Sequence, residues 1–253
     1  VEQRAGGMRL AAYQHLGAGG FGLLDQLGHL AGRGGVDQRA YLGALAHAIP
    51  HLEALHGSGQ LLGEGIVDTG LHQDTVGADA SLARIAVLGG ERPGDGGVEI
   101  GIVVGGGNFF RGVQGLNKGL DRTSADSIGM LGTVMNALAL EDAIETAGAP
   151  ARAMAAVPMP SLCESYARKR ALDHLSNGKV VILGGGTGNP YFTTDTGAAL
   201  RAAGLGGSHL LKATQVDGVY SADPKKDPAA TRYDTLTHED AIKRDLKVMD
   251  TAA

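Results

Sequence analysis

Two glycine clusters carry the clearest chemistry in this chain, Gly105-Gly106-Gly107 and Gly184-Gly185-Gly186-Thr187-Gly188-Asn189-Pro190. Each follows a short apolar run that reads as a buried strand, so each lies just past a strand's carboxyl end, where α/β proteins bind ligands. Glycine at such a point lets backbone N–H groups approach phosphate oxygens with no Cβ in the way, and the N-terminus of a following helix adds positive potential. Arg111, six residues past Gly105, offers a planar fork of donors to phosphate oxygens. A tight turn alone explains either cluster taken singly. Two on one sheet, with an arginine close by, point to a phosphate site.

No G-x-x-x-x-G-K-[ST] pattern occurs, so a P-loop kinase is excluded, and H-E-x-x-H, paired C-x-x-C and G-x-S-x-G motifs are absent as well. Phosphoryl transfer on this chain therefore needs a different scaffold. Two other spacings are decoys. Gly17-Ala18-Gly19-Gly20-Phe21-Gly22 satisfies G-x-G-x-x-G with Asp37 downstream, but the residues before it make no convincing buried strand. His47 and His51 share a helical face near His56, yet Pro50 breaks that face and no carboxylate or thiol completes a metal site.

The elements that position the glycine clusters follow from patterning. Short β-rich runs alternate with longer helical ones after residue 97, which predicts βαβ units around a mainly parallel sheet. Strands are expected at Glu99 to Val104, Arg152 to Val157, Lys179 to Leu183 and His209 to Ala213. A long helix is expected over Asp126 to Ala147, with Ile128, Leu131, Met135, Leu138 and Ala139 as its apolar face, Thr123 to Asp126 capping its start and Gly148 ending it. A second helix is expected over Leu162 to Leu175, and a third from Asp195 to about Ala203.

Composition sets the outer bounds. With 253 residues, 43% of them hydrophobic, the chain can bury a core. A net charge of -5 argues against general nucleic-acid binding, and the lone Cys163 permits no internal disulfide and suits a reducing, cytoplasmic setting. No apolar run reaches the roughly 20 residues of a membrane span. Gly97 marks a compositional seam: all eight lysines lie at or after Lys118, Asn first occurs at Asn108, and six of nine histidines precede the seam. Residues 1–96 therefore stay unassigned and read as a foreign or wrong-frame segment, with an unusual native domain as the alternative. Within them, Ala40 to His56 is the best helix candidate.

Residues 97–253 resemble the uridylate kinases of the amino-acid-kinase superfamily. The resemblance rests on Val103-Val104-Gly105-Gly106-Gly107-Asn108-Phe109-Phe110-Arg111-Gly112, on the helix segment from Met130 to Leu140, and on Gly186-Thr187-Gly188-Asn189-Pro190-Tyr191-Phe192-Thr193-Thr194-Asp195. It continues through Leu211 to Pro224, with Asp217-Gly218-Val219-Tyr220, and ends in Lys247-Val248-Met249-Asp250. The Asp-Gly-Val-Tyr and Asp-Pro elements are common to the superfamily, whereas the loop from Thr187 to Asp195 and the Met-rich helix are far more specific and resemble those of the UMP enzymes.

The resemblance implies an αβα sandwich with a mainly parallel sheet, incomplete at both ends, and transfer of phosphate from ATP to UMP with Mg2+. It implies that Gly106, Asp126, Thr187, Gly188, Asn189, Pro190, Tyr191, Phe192, Thr193 and Thr194 hold UMP, Asp126 accepting from ribose hydroxyls. Gly107, Arg111, Thr214, Tyr220 and Asp223 would surround ATP. Arg111 would be catalytic, as would Asp195 by orienting a lysine or the metal; a plain helix N-terminal carboxylate is the other reading of Asp195. No dedicated protein metal site is expected. By family the assembly would be a homohexamer answering to GTP and UTP. Two departures stand out: the family's opening Lys-Leu-Ser-Gly-Glu strand is not found, and about thirty residues follow Asp250 in the family. The alternatives are a nucleotide-binding fragment without catalysis and another superfamily kinase acting on an acid.

Overall fold

The computed structural model describes residues 9–13, 85–91, 98–107, 109–110, 119–146, 148–213, 218–246 and 249–253. The Gly17–Gly22 loop, Asp37, the Ala40–His56 stretch with its histidines, Arg111, Thr214 and the Lys247-Val248 pair lie outside them.

The strands are β1 (Arg9–Tyr13), β2 (Ile85–Glu91), β3 (Val98–Val104), β4 (Ala151–Ala155), β5 (Glu164–Ser165), β6 (Val180–Gly184) and β7 (His209–Ala213), in the order β1-β7-β2-β3-β6-β4-β5. Every strand but β2 runs in one direction; β2 is antiparallel to both β3 and β7. The expected mainly parallel sheet is thus present, and β2 enters it from upstream of Gly97. A separate ribbon pairs β8 (Val219–Tyr220) with β9 (Arg232–Tyr233).

Alternation along the central strands builds two cores, one on each face of the sheet. Ile100, Ile102, Val104, Val180 and Ile182 pack with Ala137, Leu140 and Ile144 of helix α1 (Arg122–Thr146). Val103, Val181 and Leu183 face the other way, onto Ala171 and Leu175 of α2 (Arg168–Ser176) and Ala198, Ala202 and Leu205 of α3 (Thr194–Leu205). Helices on both faces make the αβα sandwich.

Three expectations about the helices need correction. Helix α1 starts at Arg122, earlier than expected, and its cap is Asp121, whose Oδ1 accepts from the Ser124 amide at 3.0 Å. Asp126 sits inside the helix instead. The face of α1 also differs: Ile128, Leu131 and Met135 are exposed, while Ala125, Gly132, Thr133, Asn136 and Ala137 are buried. Small residues win the buried face because the sheet and the glycine loops lie almost against the helix backbone. Finally, Leu162 to Tyr166 is not helical. Glu164–Ser165 extends the sheet beside β4, and the Tyr166 amide donates to the Ala155 carbonyl at 2.8 Å, a tertiary pairing that overrides local helix propensity. Gly148 does end α1: with φ of 92° it takes the left-handed conformation, its amide donating to Glu145.

No helix among the described residues is long and apolar enough to cross a membrane.

Candidate active site at the carboxyl edge of the sheet

Both glycine clusters leave the sheet side by side. Val103 pairs with Leu183, so β3 and β6 end together and deliver Gly105–Gly107 and Gly184–Gly188 to the same edge. Helix α1 runs beneath both. The backbone of Gly106 is so close to it that an added Cβ would lie 2.7 Å from the Gly129 carbonyl oxygen and 2.7 Å from the Thr133 amide nitrogen. Glycine is required there for contact with the helix. The second cluster needs glycine for conformation too: Gly185, Gly186 and Gly188 have φ of 78°, 55° and 81°, a region costly for residues with a Cβ.

The loop from Thr187 to Thr194 is fastened at two points, near its middle and at its end. Near its middle, Tyr191 takes a left-handed φ of 72°, and its amide donates to Asp126 Oδ2 at 2.8 Å. Arg122 Nε donates to the same oxygen at 2.7 Å, and its guanidinium lies over the Tyr191 ring, 5.6 Å from the centroid. Asp126 and the loop, assigned to one ligand from sequence, are therefore in direct contact across 65 residues of chain. At the loop's end Thr193 caps α3 by accepting from the Thr196 amide, and its hydroxyl donates to Asp250. Thr196 Oγ1 also donates to Asp250, at 3.0 Å. Burial works against the Asp250 charge, but these hydroxyl bonds and the amides of Ala252 and Ala253 outweigh it and hold the carboxyl below its ordinary range.

Asp195, in the first turn of α3, is buried and meets the ammonium of Lys212, with Nζ to Oδ2 at 2.8 Å. Both side chains are nearly enclosed, 5% and 11% exposed, so this is a low-dielectric ion pair, unlike the exposed pairs elsewhere. Lys212 is the next-to-last residue of β7, whose carboxyl end lies on the edge that carries the glycine loops. Arg201 reaches the second loop from α3: Nη2 donates to the Gly186 carbonyl at 3.2 Å while the guanidinium stacks 3.9 Å from the centre of the Tyr166 ring.

The structure thus gathers Gly106, Gly107, Asp126, Thr187 to Thr194 and Asp195 at one edge. Tyr220 and Asp223 sit apart from the main sheet, in β8 and the turn after it, where Asp223 Oδ1 accepts from the Lys225 amide at 3.0 Å. Lys212, Arg201, Thr133 and Asn136 were missed as site residues by sequence reasoning. Lys212 was readable as a charge inside an apolar strand, and the two helix residues as polar groups within a helix that must be buried on one side.

A family model described as the amino acid kinase family matches residues 75–253. A curated uridylate kinase of Azorhizobium caulinodans is 59% identical over 184 residues, covering 73% of this chain and 74% of that protein. Another, of Paramagnetospirillum magneticum, is 51% identical over 197 residues, covering 77% and 79%. Among solved structures, a UMP kinase from Bacillus anthracis superposes with a TM-score of 0.56 at 40% identity, covering 58% of this chain and 62% of that one. A UMP kinase from Ureaplasma parvum gives 0.56 at 38%, covering 58% and 63%. The chain thus spans about three quarters of the length of those curated relatives and less than two thirds of those solved structures. A family match over most of the chain, on a sandwich with paired glycine loops at one sheet edge, has one meaning: the chain belongs to the amino acid kinase family.

Proposed function

We propose that this chain is a uridylate kinase, moving the terminal phosphoryl group of ATP to the 5′-phosphate of UMP and yielding UDP and ADP. The observation that carries the reading is the pairing of two glycine loops at the ends of adjacent parallel strands, one of them fastened to Asp126. The relatives named uridylate kinases support the same reading.

In-line phosphoryl transfer asks little covalent chemistry of a protein; it asks for alignment and for positive charge around the moving group. The glycine loops supply backbone donors, and Lys212, oriented by Asp195, supplies a fixed cation of the sort that stabilises the transition state. Arg111 would add a second. Asp126 and the Thr187–Thr194 loop hold the nucleoside monophosphate, and by the family resemblance Gly107, Thr214, Tyr220 and Asp223 would contact ATP.

Mg2+ arrives with ATP in this scheme. The ion typically keeps several waters and needs only one or two carboxylates besides phosphate oxygens. Asp195, in the first turn of α3, and Asp126, at the second loop, are carboxylates that would hold it. Held there with ATP, it would supply neutralisation of phosphate charge.

The test is UDP formation by the purified chain from UMP and ATP with Mg2+, beside CMP and a carboxylic-acid acceptor. Turnover with UMP in strong preference to the others is expected. Turnover with the acid alone would place the chain elsewhere in the family, and a UMP-dependent thermal shift without UDP would mean a binding protein.

A further inference from the structure

We propose that Thr133 and Asn136 of α1 are positioning residues that hold the two glycine loops at a fixed separation, so that donor and acceptor phosphates meet in line; this rests on the uridylate kinase reading. Both side chains are almost fully buried, at 5% and 4% exposure. They lie three residues apart and so on one face of the helix. Asn136 Nδ2 donates to the Gly105 carbonyl at 2.6 Å, 31 residues away. Thr133 Oγ1 accepts from the Gly185 amide at 2.6 Å, 52 residues away, and donates to the Met130 carbonyl of its own helix at 2.6 Å.

These bonds are not helix housekeeping. A polar side chain buried against a sheet is costly unless paired, and an apolar residue of the same size would pack the site without that cost. Here Asn136 Nδ2 and Thr133 Oγ1 each bond the backbone of a different loop. The anchored atoms also control more than themselves. Gly185 is left-handed, and its carbonyl accepts from the Gly188 amide at 2.8 Å, so fixing the Gly185 amide fixes the whole second turn. Gly105 immediately precedes Gly106, whose backbone already rests on Gly132 and Thr133. On the other side of Thr133, an added Cβ on Gly184 would come within 3.1 Å of the Val134 Cα. One turn of helix therefore touches both loops by packing and by hydrogen bond, and the spacing of Thr133 and Asn136 sets the distance between them.

The experiment compares the full chain with Thr133→Val, Thr133→Ser and Asn136→Leu. Misplacing reacting groups by about 1 Å costs on the order of 100-fold in rate, so Thr133→Val and Asn136→Leu are expected to lower kcat by roughly 10- to 100-fold. Neither should change the UMP dissociation constant, read by titration, by more than about threefold, because Asp126 and the Thr187–Thr194 loop, which carry most of the proposed UMP contacts, keep their own fastening. Thr133→Ser should restore kcat. Amide exchange at Gly185 is the second readout and needs no turnover: it should be slow in the wild type and in Thr133→Ser, and at least about tenfold faster in Thr133→Val. A lowered melting temperature with kcat unchanged, or unchanged Gly185 exchange in Thr133→Val, overturns the proposal. Should Thr133→Val not fold, Thr133→Ala is read in the same way. Wild-type chain that makes no UDP would sink the kinase reading instead, and amide exchange would still decide whether α1 holds the loops.

Discussion

Replacing Gly106 by alanine tests the site's geometry at its tightest point. The new Cβ would stand 2.7 Å from the Gly129 oxygen, 2.7 Å from the Thr133 nitrogen and 2.9 Å from the Gly132 carbonyl carbon. All three are backbone atoms of one helix, so no side chain can swing aside. Relief to an ordinary contact of about 3.4 Å needs the loop to move by 3.4 − 2.7, about 0.7 Å. Overpacking of this kind costs about 1–3 kcal/mol, and a rigid backbone neighbour argues for the upper end. At roughly 2–4 °C per kcal/mol for a domain of this size, melting should fall by about 6–12 °C. The same shift moves the first loop relative to the second, and UDP formation should drop by at least about tenfold. Gly129, one of the residues the Cβ would strike, provides the opposite sign. A Cβ on Gly129 itself meets nothing within 4 Å, so Gly129→Ala should stabilise the helix by roughly 0.5–1 kcal/mol with activity kept. Thermal melting and a UDP assay on both variants decide the matter. A Gly106→Ala protein with wild-type melting and turnover would refute the claim that loop and helix are in backbone contact.

Lys212→Met removes the ammonium facing buried Asp195 and should cost about 3–5 kcal/mol, with turnover lower by about 100-fold or more; adding Asp195→Asn should recover melting temperature but not UDP formation. Asp126→Ala should raise KM for UMP by about tenfold or more while KM for ATP stays within about threefold, because it removes both the loop fastening and the acceptor proposed for ribose. Asp250 titrates lower in the folded chain than in the unfolded one, so its stabilising effect is complete above the ordinary carboxylate range and disappears as pH falls through the folded value. The melting difference between wild type and Asp250→Asn should accordingly be present at neutral pH and close below about pH 4. Arg201→Lys keeps the charge but loses the planar fork and the stack on Tyr166, and melting should fall by several degrees, about 1–2 kcal/mol.

The strands and loops were legible because their signals are local. His209–Ala213 was placed to the residue, and β3 and β6 within one residue at each end, since a continuous apolar run followed by glycine has few other readings. What escaped depends on partners distant in sequence. The buried face of α1 was misassigned because hydrophobicity favours Ile128, Leu131 and Met135, whereas the face that packs is chosen by how closely Gly106 and Gly184 must approach. The start of α2 was set by pairing with β4, which no local pattern announces. Composition drew a seam at Gly97, yet the family match begins at residue 75 and β2 pairs with β3 from Ile85 to Glu91. Lysine content reports how a segment was encoded or selected; strand pairing needs only backbone groups and a tolerable pattern of side chains.

Hydrogen-bond capacity sorts the residues that resemblance had grouped together. Asp126 uses Oδ2 for both Arg122 and the Tyr191 amide, which among the described residues leaves Oδ1 open to a hydroxyl donor without disturbing the loop. Thr193 has one hydroxyl hydrogen, and Asp250 takes it; an oxygen of that hydroxyl also accepts from the Thr196 amide. A phosphate or carbonyl oxygen, which can only accept, gains nothing from the Thr193 side chain unless the bond to Asp250 opens. Thr194 is different: its hydroxyl has no partner among the described residues. The adjacent threonines therefore differ: Thr193 ties loop and helix to Asp250, and in the proposed function Thr194 would offer its donor to the ligand. Under the proposed function, nucleotide binding would be mostly the filling of two positions, Asp126 Oδ1 and Thr194 Oγ1, on a loop already fastened in place. A loop held this way is ordered before the nucleotide arrives, and the ordering cost that binding must offset is correspondingly small.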